Sequence, residues 1–304
     1  MTAKIDGVYF EIIQKHFPDV KAEDVKILSN GNDHFVYVVK EQIAFRFPKI
    51  PREIDSRRSD FLKELMPLSP FPLPTIEIHK DENTGLYYEM NTYIPGVSFY
   101  PEIARAFSRD ELIVVAQKLG TFLSVVHSFP IERARELQLD ELNPNDFWEF
   151  MEQNPTAYPK FKQLVFPHVS KEEQDWIEKL FTDFIYLAKE KPLPLRVIHG
   201  DMWVFHVIVN PIAHTLSGVI DFWGRIADPA NDFKAFEYYG KDFVKEVYKS
   251  YSLPIDEDFE KRRLFYTGHD EVFEFARQLE KGDKEKIAKH QISLSKYIKS
   301  HPLI

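Results

Sequence analysis

The sequence contains no cysteine, which excludes disulfide bonds and zinc sites built on thiolates. It has no apolar run approaching the roughly 18 residues that a membrane-spanning helix needs. Its start, MTAKIDGVYFEII, lacks the cationic head and long apolar stretch of a signal peptide. Internal repeats and low-complexity tracts are also missing. We therefore expect a cytoplasmic protein that does not associate with membranes.

Positive charge is scarce as well, because 39 lysines and arginines stand against 48 aspartates and glutamates, for a net charge of -9. Nucleic-acid backbones bind to basic surfaces, so this balance argues against a nucleic-acid partner. The acidity is compatible with a cationic substrate, but a role in solubility alone explains it equally well. The 304 residues are 44% apolar, which suffices for two small lobes with ordinary cores. We expect the chain to act as a monomer.

The most informative stretch runs from Val197 to Phe233, where polar side chains lie inside or directly after short apolar runs. Runs of this kind predict buried strands. Carboxylates at strand ends are costly to desolvate unless they bind something, so chemistry is the natural reason for their position. The polar side chains in question are His199, Asp201, His206 and Asp221.

The spacing of these residues matches the catalytic loops of protein kinases, in which H-R-D-x-x-x-x-N is followed by D-F-G. There the first Asp accepts the proton of the substrate hydroxyl, and the Asn and the second Asp hold magnesium. Here Asp201 lies five positions before His206, and Asp221 ends the next apolar run. Two strands joined by a turn at residues 210–214 would bring one base and two metal ligands to the same edge.

In its motifs the chain resembles the aminoglycoside phosphotransferases and their small-molecule kinase relatives. Having a histidine where most members of that family have asparagine is similar to the aminoglycoside 2″-phosphotransferase branch. The motifs that carry the resemblance are His199-Gly200-Asp201, His206, Ile220-Asp221-Phe222 and Asp228-Pro229-Ala230-Asn231-Asp232.

The resemblance implies an α+β, protein-kinase-like fold with two lobes: residues 1–94 as the nucleotide-binding lobe and residues 95–304 as a mainly helical lobe. The residue pattern agrees, because β-type runs before residue 95 predict a five-stranded antiparallel sheet. Apolar residues at helical spacing then predict long core helices. The predicted strands are 25–28, 35–39, 43–47, 75–79 and 86–92, and the predicted helices include 5–15, 55–65, 109–128, 171–189, 258–266, 270–279 and 283–298.

Two residues of the first lobe are candidates for contact with nucleotide phosphates. Gly31 lies in the first turn of the sheet, where a kinase places a glycine-bearing loop, although an ordinary hairpin turn also explains one glycine. Arg46 lies among alternating apolar residues, in the position of the lysine that pairs the α- and β-phosphates in kinases. The alternative for Arg46 is the solvent face of an edge strand.

A kinase needs an acidic residue to hold this cation, and the helix at 55–65 offers Asp60 and Glu64. We favour Asp60, because arginine is longer than lysine and a shorter carboxylate could match it in a bidentate pair, while Glu64 stays open. By resemblance, the backbone at Thr92 and Ile94 would meet the purine edge of ATP or GTP.

The same resemblance assigns roles in the second lobe. Asp201 is the base, and His199 is a catalytic-loop residue that braces the loop rather than transferring protons. His206 and Asp221 hold Mg²⁺, with Mn²⁺ as an alternative. Asp228 and Asp232 are expected to be structural, holding the loop that presents Asp221.

The implied acceptor is a hydroxyl of a small molecule, with an aminoglycoside antibiotic as the first choice. Candidate acceptor contacts are Asp201, Trp203, Glu237, Asp270 and Glu274. The segment at 233–240 carries only one acid beside one base and several aromatics, so a macrolide or another metabolite is an alternative acceptor. A metal-dependent hydrolase built on the four polar residues of the central stretch is the alternative reaction class.

Overall fold

The computed structural model describes residues 5–28, 33–142 and 158–302. Five antiparallel strands form the first sheet, in the spatial order β1-β2-β3-β5-β4. The helix α1 (Gly7–His16) covers one face, where its buried Ile12 and Ile13 pack against the sheet. The strands are β1 (Val25–Leu28), β2 (His34–Val39), β3 (Ile43–Pro48), β4 (Ile76–Lys80) and β5 (Tyr87–Thr92).

The central strand β3 explains how a cation enters an apolar sheet. Side chains alternate along a strand, so Phe45 and Phe47 turn to the core beneath α1, where both are fully buried. Arg46 turns to the opposite face, towards the second lobe. Since β3 lies between β2 and β5, the alternative of an edge-strand position for Arg46 is wrong.

The second lobe is mainly helical. Helix α4 (Arg109–His127) packs against α8 (Lys241–Ser250) and against the strand Arg196–Ile198, which leads into the central motif. The start of α4 is fixed by a capping box in which Ser108 and Glu111 bond each other's backbone N–H groups. Within the described ranges, the other α-helices are α2 (Arg57–Leu65), α3 (Pro101–Ala104), α4 (Arg109–His127), α5 (Ile131–Glu136), α6 (Tyr158–Val165), α7 (Lys171–Glu190), α8 (Lys241–Ser250), α9 (Phe259–Lys281) and α10 (Lys284–Ser300).

Two small sheets at the junction of the lobes carry the central motif. In one, β10 (Thr215–Val219) and β6 (Val97–Ser98) flank β9 (Val207–Asn210); in the other, β7 (Asp140–Glu141) and β8 (Arg196–Ile198) flank β11 (Arg225–Ala227). Both β9-β10 and β8-β11 are antiparallel pairs. The loops at residues 199–206 and 220–224 therefore leave neighbouring strand ends and face each other.

The predicted α+β, kinase-like fold is confirmed, with two local differences. Residues 259–281 form one continuous helix rather than two. Gly268 lies within this helix, under the side chains of Leu180 and Trp176, where a Cβ would come within 3.0 Å of both. This glycine permits close helix packing and does not end a helix. Residues 229–239 form a 3₁₀ helix. Within the described ranges, no helix is both long and apolar enough to cross a membrane.

Candidate active site

The loop after β8 is held from beneath by a buried carboxylate. Asp232 accepts backbone N–H bonds from His199 at 2.6 Å and from Gly200 at 3.0 Å, and its other contact is His127 Nε2 at 3.1 Å. Gly200 has a φ of +84°, a conformation that favours glycine. Burial alone would raise the pKa of Asp232, but the bond from His127 and the backbone donors lower it. Asp232 is therefore structural, as predicted, but it holds the His199–Asp201 turn and not the loop that carries Asp221.

His199 connects the two facing loops. Its Nε2–H donates to the backbone oxygen of Ile220 at 3.1 Å, and its Nδ1 accepts the backbone N–H of Asp201 at 3.2 Å. Burial lowers the pKa of His199 to about 4, so the imidazole is neutral. Both ring nitrogens bond backbone groups of the two loops, so His199 is a positioning residue here.

Three side chains from the two loops converge. One ligand atom each of Asp201, His206 and Asp221 lies within 4.8 Å of the other two. His206 Nδ1–H donates to the backbone oxygen of Asp201 at 2.7 Å, which directs Nε2 towards Asp221 Oδ2 at 3.3 Å. A backbone carbonyl that fixes one ring nitrogen in this way is common behind metal-bound histidines. Two oxygens and one nitrogen suit a divalent cation such as Mg²⁺ or Mn²⁺.

Asp221 and Asp201 differ in their electrostatic surroundings. Burial opposes the charge of Asp221, but Arg46 and His206 hold the pKa of Asp221 well below its usual range. The pKa of Asp201 is raised, chiefly by burial, despite the opposing charges of His206 and Lys234. A carboxylate that is always ionised suits a metal ligand, and one with a raised pKa suits a proton acceptor.

The partners of Arg46 correct a prediction. Arg46 Nη2 contacts Asp221 Oδ1 at 2.9 Å, and its Nε lies 3.5 Å from Glu89 Oε2. Asp60 pairs instead with Lys63 on the surface of α2, and Glu64 pairs with Arg133, so neither holds Arg46. Glu89 faces Arg46 directly across the β3-β5 ladder.

Glu89 was not predicted from the sequence, because the acidic partner of Arg46 was expected on the helix at 55–65. The usable signal is the strand β5, in which Glu89 is the one charged residue and is flanked by Tyr88 and Met90. Glu89 is 1% exposed and also contacts Arg58. Arg46 Nε is buried beside the Glu89 carboxylate, so this acid compensates part of the arginine's charge within the sheet.

The other predicted nucleotide contacts are less defined. Gly31 lies outside the described residues. Thr92 ends β5, and its N–H bonds the backbone oxygen of Thr75 at 3.2 Å. Ile94 follows at the junction of the lobes, with its side chain 8% exposed beside Gly218. Contact of Thr92 and Ile94 with a purine stays a prediction.

The predicted acceptor contacts have partners within the protein. Trp203 is partly exposed, and Lys234 Nζ lies 5.1 Å from its ring centroid. The other three are acids engaged in ion pairs: Glu237 with Arg263 at 2.6 Å and His301 at 3.1 Å, Asp270 with Lys234 at 2.7 Å, and Glu274 with Arg277 at 2.7 Å. The bond from His301 is the main cause that lowers the pKa of Glu237 to about 2.

A profile described as the phosphotransferase enzyme family matches residues 24–249, and the chain belongs to this family. It is a phosphotransferase with an alcohol group as acceptor, so the alternative of a metal-dependent hydrolase is wrong. A search of curated proteins gives no match. The family match, together with the solved structures described below, confirms the resemblance to aminoglycoside phosphotransferases and their relatives.

Solved structures share the fold over nearly the whole chain. The GDP complex of wild-type aminoglycoside 2'-phosphotransferase-IIIa is 20% identical, with a TM-score of 0.78 over 95% of this chain and 97% of that one. The GDP and kanamycin complex of APH(2″)-IIIa is 22% identical, with a TM-score of 0.77 over 97% and 100%. A macrolide 2'-phosphotransferase from Brachybacterium faecium is 14% identical, with a TM-score of 0.66 over 94% and 97%.

Proposed function

We propose that this phosphotransferase moves the terminal phosphoryl group of ATP or GTP to a hydroxyl of a small molecule. The observation that carries the proposal is the meeting of Asp201, His206 and Asp221 directly beneath Arg46 of the β-sheet lobe. A base, two cation ligands and a phosphate-binding cation are the groups that phosphoryl transfer requires. The nucleotide complexes among the structures of similar fold support the choice of co-substrate.

Each residue has a role that its contacts support. Asp201, with a side chain 30% exposed, accepts the proton of the acceptor hydroxyl and orients it. Arg46 binds the α- and β-phosphates through the end of its guanidinium group, which lies at the cation site beside Asp221. His206 and Asp221 hold a divalent cation, which supplies charge neutralisation on the phosphates when bound. His199 and Asp232 keep the loop of Asp201 in place.

A histidine ligand makes cation binding dependent on pH. Burial alone would lower the pKa of His206, but its contacts with Asp221 and Asp201 outweigh burial and raise it. At low pH the protonated ring of His206 stabilises the metal-free protein. This stabilisation is lost as the pH rises through the raised pKa of His206. Cation binding follows the opposite trend, because the proton and the cation compete for Nε2.

We therefore expect activation by Mg²⁺ or Mn²⁺ to weaken as the pH falls, with a midpoint above the usual imidazole value of about 6.5. His206→Asn should remove this loss of cation activation at low pH. It should also shift the preference from Mn²⁺ towards Mg²⁺, because an amide oxygen is a harder ligand than imidazole. The measurement is the half-saturating concentration of each cation from pH 5.5 to 8.5 in both forms. Identical profiles and preferences would remove His206 from the cation site.

The reaction itself is tested by release of ADP or GDP in a coupled assay, with kanamycin, a macrolide and simple glycosides as acceptors. We expect nucleotide consumption only when an alcohol acceptor is present, with one phosphorylated product for each nucleotide consumed. Consumption at the same rate without any acceptor would contradict phosphoryl transfer to an alcohol. From the sequence, an aminoglycoside is the first choice of acceptor. Because aminoglycosides are cationic, the charges around the site determine whether such an acceptor would bind.

A further inference from the structure

We propose that the acceptor is an uncharged molecule with an apolar face, such as a neutral glycoside of a flat or lipophilic alcohol, and not a polycation. The inference rests on the proposed function, because it concerns the acceptor side of the same site. It follows from two observations: the acids expected to contact the acceptor, Glu237, Asp270 and Glu274, are already paired within the protein, and the exposed surface that follows Asp201 in the chain is aromatic.

The pairing of the acids is clearest at Lys234, a residue with no role expected from the sequence. Lys234 lies on the 3₁₀ helix Pro229–Tyr239 and pairs with Asp270 of α9 at 2.7 Å, with side chains only 10% and 16% exposed. Its charge acts on Asp201, and its ammonium group lies over the ring of Trp203. Asp270 acts on Asp201 with the opposite sign, so the Lys234–Asp270 pair adds little net charge beside the proposed base and offers no free carboxylate to an ammonium group.

Other acids of the 3₁₀ helix and of α9 also have partners within the protein. Glu237 is held by Arg263 and His301, and Glu274 is held by Arg277. Glu271 is 6% exposed and accepts bonds from Tyr238 Oη at 2.6 Å and Ser293 Oγ at 3.0 Å. A polycationic acceptor would need free carboxylates, and to obtain them here it would have to break existing ion pairs and hydrogen bonds, of which the Lys234–Asp270 and Arg263–Glu237 pairs are largely buried.

The second observation is the aromatic surface that follows Asp201 in the chain. Trp203 and Phe205 lie parallel, with an interplanar angle of 6° and ring centroids 5.9 Å apart, and Phe205 is 38% exposed. Tyr238 extends this surface, with its ring centroid 6.1 Å from that of Trp203. Stacked rings of this kind bind flat apolar groups and sugar faces without requiring charge.

The test is a calorimetric titration of the full chain with kanamycin, which reads binding independently of turnover. We expect wild type to bind kanamycin weakly, and Asp270→Asn to bind it no more weakly. Lys234→Met frees Asp270 and is expected to gain at least tenfold in kanamycin affinity, whereas the double variant Lys234→Met/Asp270→Asn loses that gain. Lys245→Met, which removes an exposed lysine of α8, is the control for net charge.

Tight kanamycin binding by wild type that weakens at least tenfold in Asp270→Asn would overturn the inference, and so would a folded Lys234→Met with no gain. In parallel, kcat/KM for phenyl β-D-glucopyranoside should exceed that for its 2-amino-2-deoxy analogue at least tenfold. An equal or reversed preference counts against an uncharged acceptor. Phosphorylation of kanamycin would uphold the proposed function while overturning this inference, and absence of transfer to every acceptor would count against the proposed function alone.

Discussion

Asp201→Asn is expected to lower turnover at least about 100-fold while leaving nucleotide affinity nearly unchanged, because positioned general bases contribute roughly 10² to 10⁴ in rate. Asparagine keeps the size of the side chain but cannot accept the hydroxyl proton. The backbone groups of residue 201 that bond His199 and His206 are unaffected. The measurement is kcat in the coupled assay together with calorimetric affinities for ATP and GTP.

The matched control for Asp201→Asn is Asp242→Asn on α8, where the carboxylate is 80% exposed and 3.7 Å from Lys245. We expect this control to retain wild-type kcat, since surface charges far from the reacting groups contribute little. Turnover by Asp201→Asn within a few-fold of the control would remove Asp201 from the role of base. A parallel loss of nucleotide affinity would instead assign Asp201 to nucleotide binding.

The parts of the site that could be predicted from the sequence are those fixed by local geometry. Asp201, His206 and Asp221 lie at the ends of strands that pair with near neighbours in the chain, so their spacing largely determines where they meet. Alternation along β3 likewise placed Arg46 on one face of the sheet. The five-stranded sheet followed from apolar runs separated by turn residues.

The parts that could not be predicted depend on which distant elements are neighbours. Glu89 holds Arg46 only because β5 pairs with β3, and the sequence does not state the order of strands in a sheet. Asp232 reaches the turn of His199 and Gly200 because the 3₁₀ helix passes beneath that turn. Such contacts are set by tertiary packing, whereas motif spacing reports only nearby chain.

The charge of the acceptor side could not be predicted from the sequence either. From sequence, Glu237, Asp270 and Glu274 could be counted as acids available to a cation, because composition does not say where a carboxylate points. The structure pairs Glu237 and Asp270 with bases from another helix, and Glu274 with Arg277 three residues further along the same helix. Counting acids in a segment therefore overstates the negative potential of a pocket whenever buried bases lie across from it.

Asp221→Asn is expected to lower turnover roughly 10³-fold, equivalent to about 4 kcal/mol, since a bound cation contributes several kcal/mol to charge stabilisation. Asp221 contacts both Arg46 at 2.9 Å and His206 at 3.3 Å, so its charge serves the cation and the phosphate-binding arginine together. In wild type, nucleotide affinity should rise on addition of Mg²⁺, and in the variant it should not. The measurement is the affinity for ATP and GTP with and without Mg²⁺, alongside kcat.

The matched control is Asp60→Asn, which alters the acid first favoured as the partner of Arg46. Because Asp60 pairs with Lys63 and is 40% exposed, we expect this variant to keep both turnover and the Mg²⁺ response. Loss of activity in Asp60→Asn, with Asp221→Asn still responding to Mg²⁺, would reverse the assignment of these two carboxylates. The pair of variants thus separates an acid that binds the cation from an acid that merely lies on the neighbouring helix, because only the former changes the effect of Mg²⁺ on nucleotide affinity.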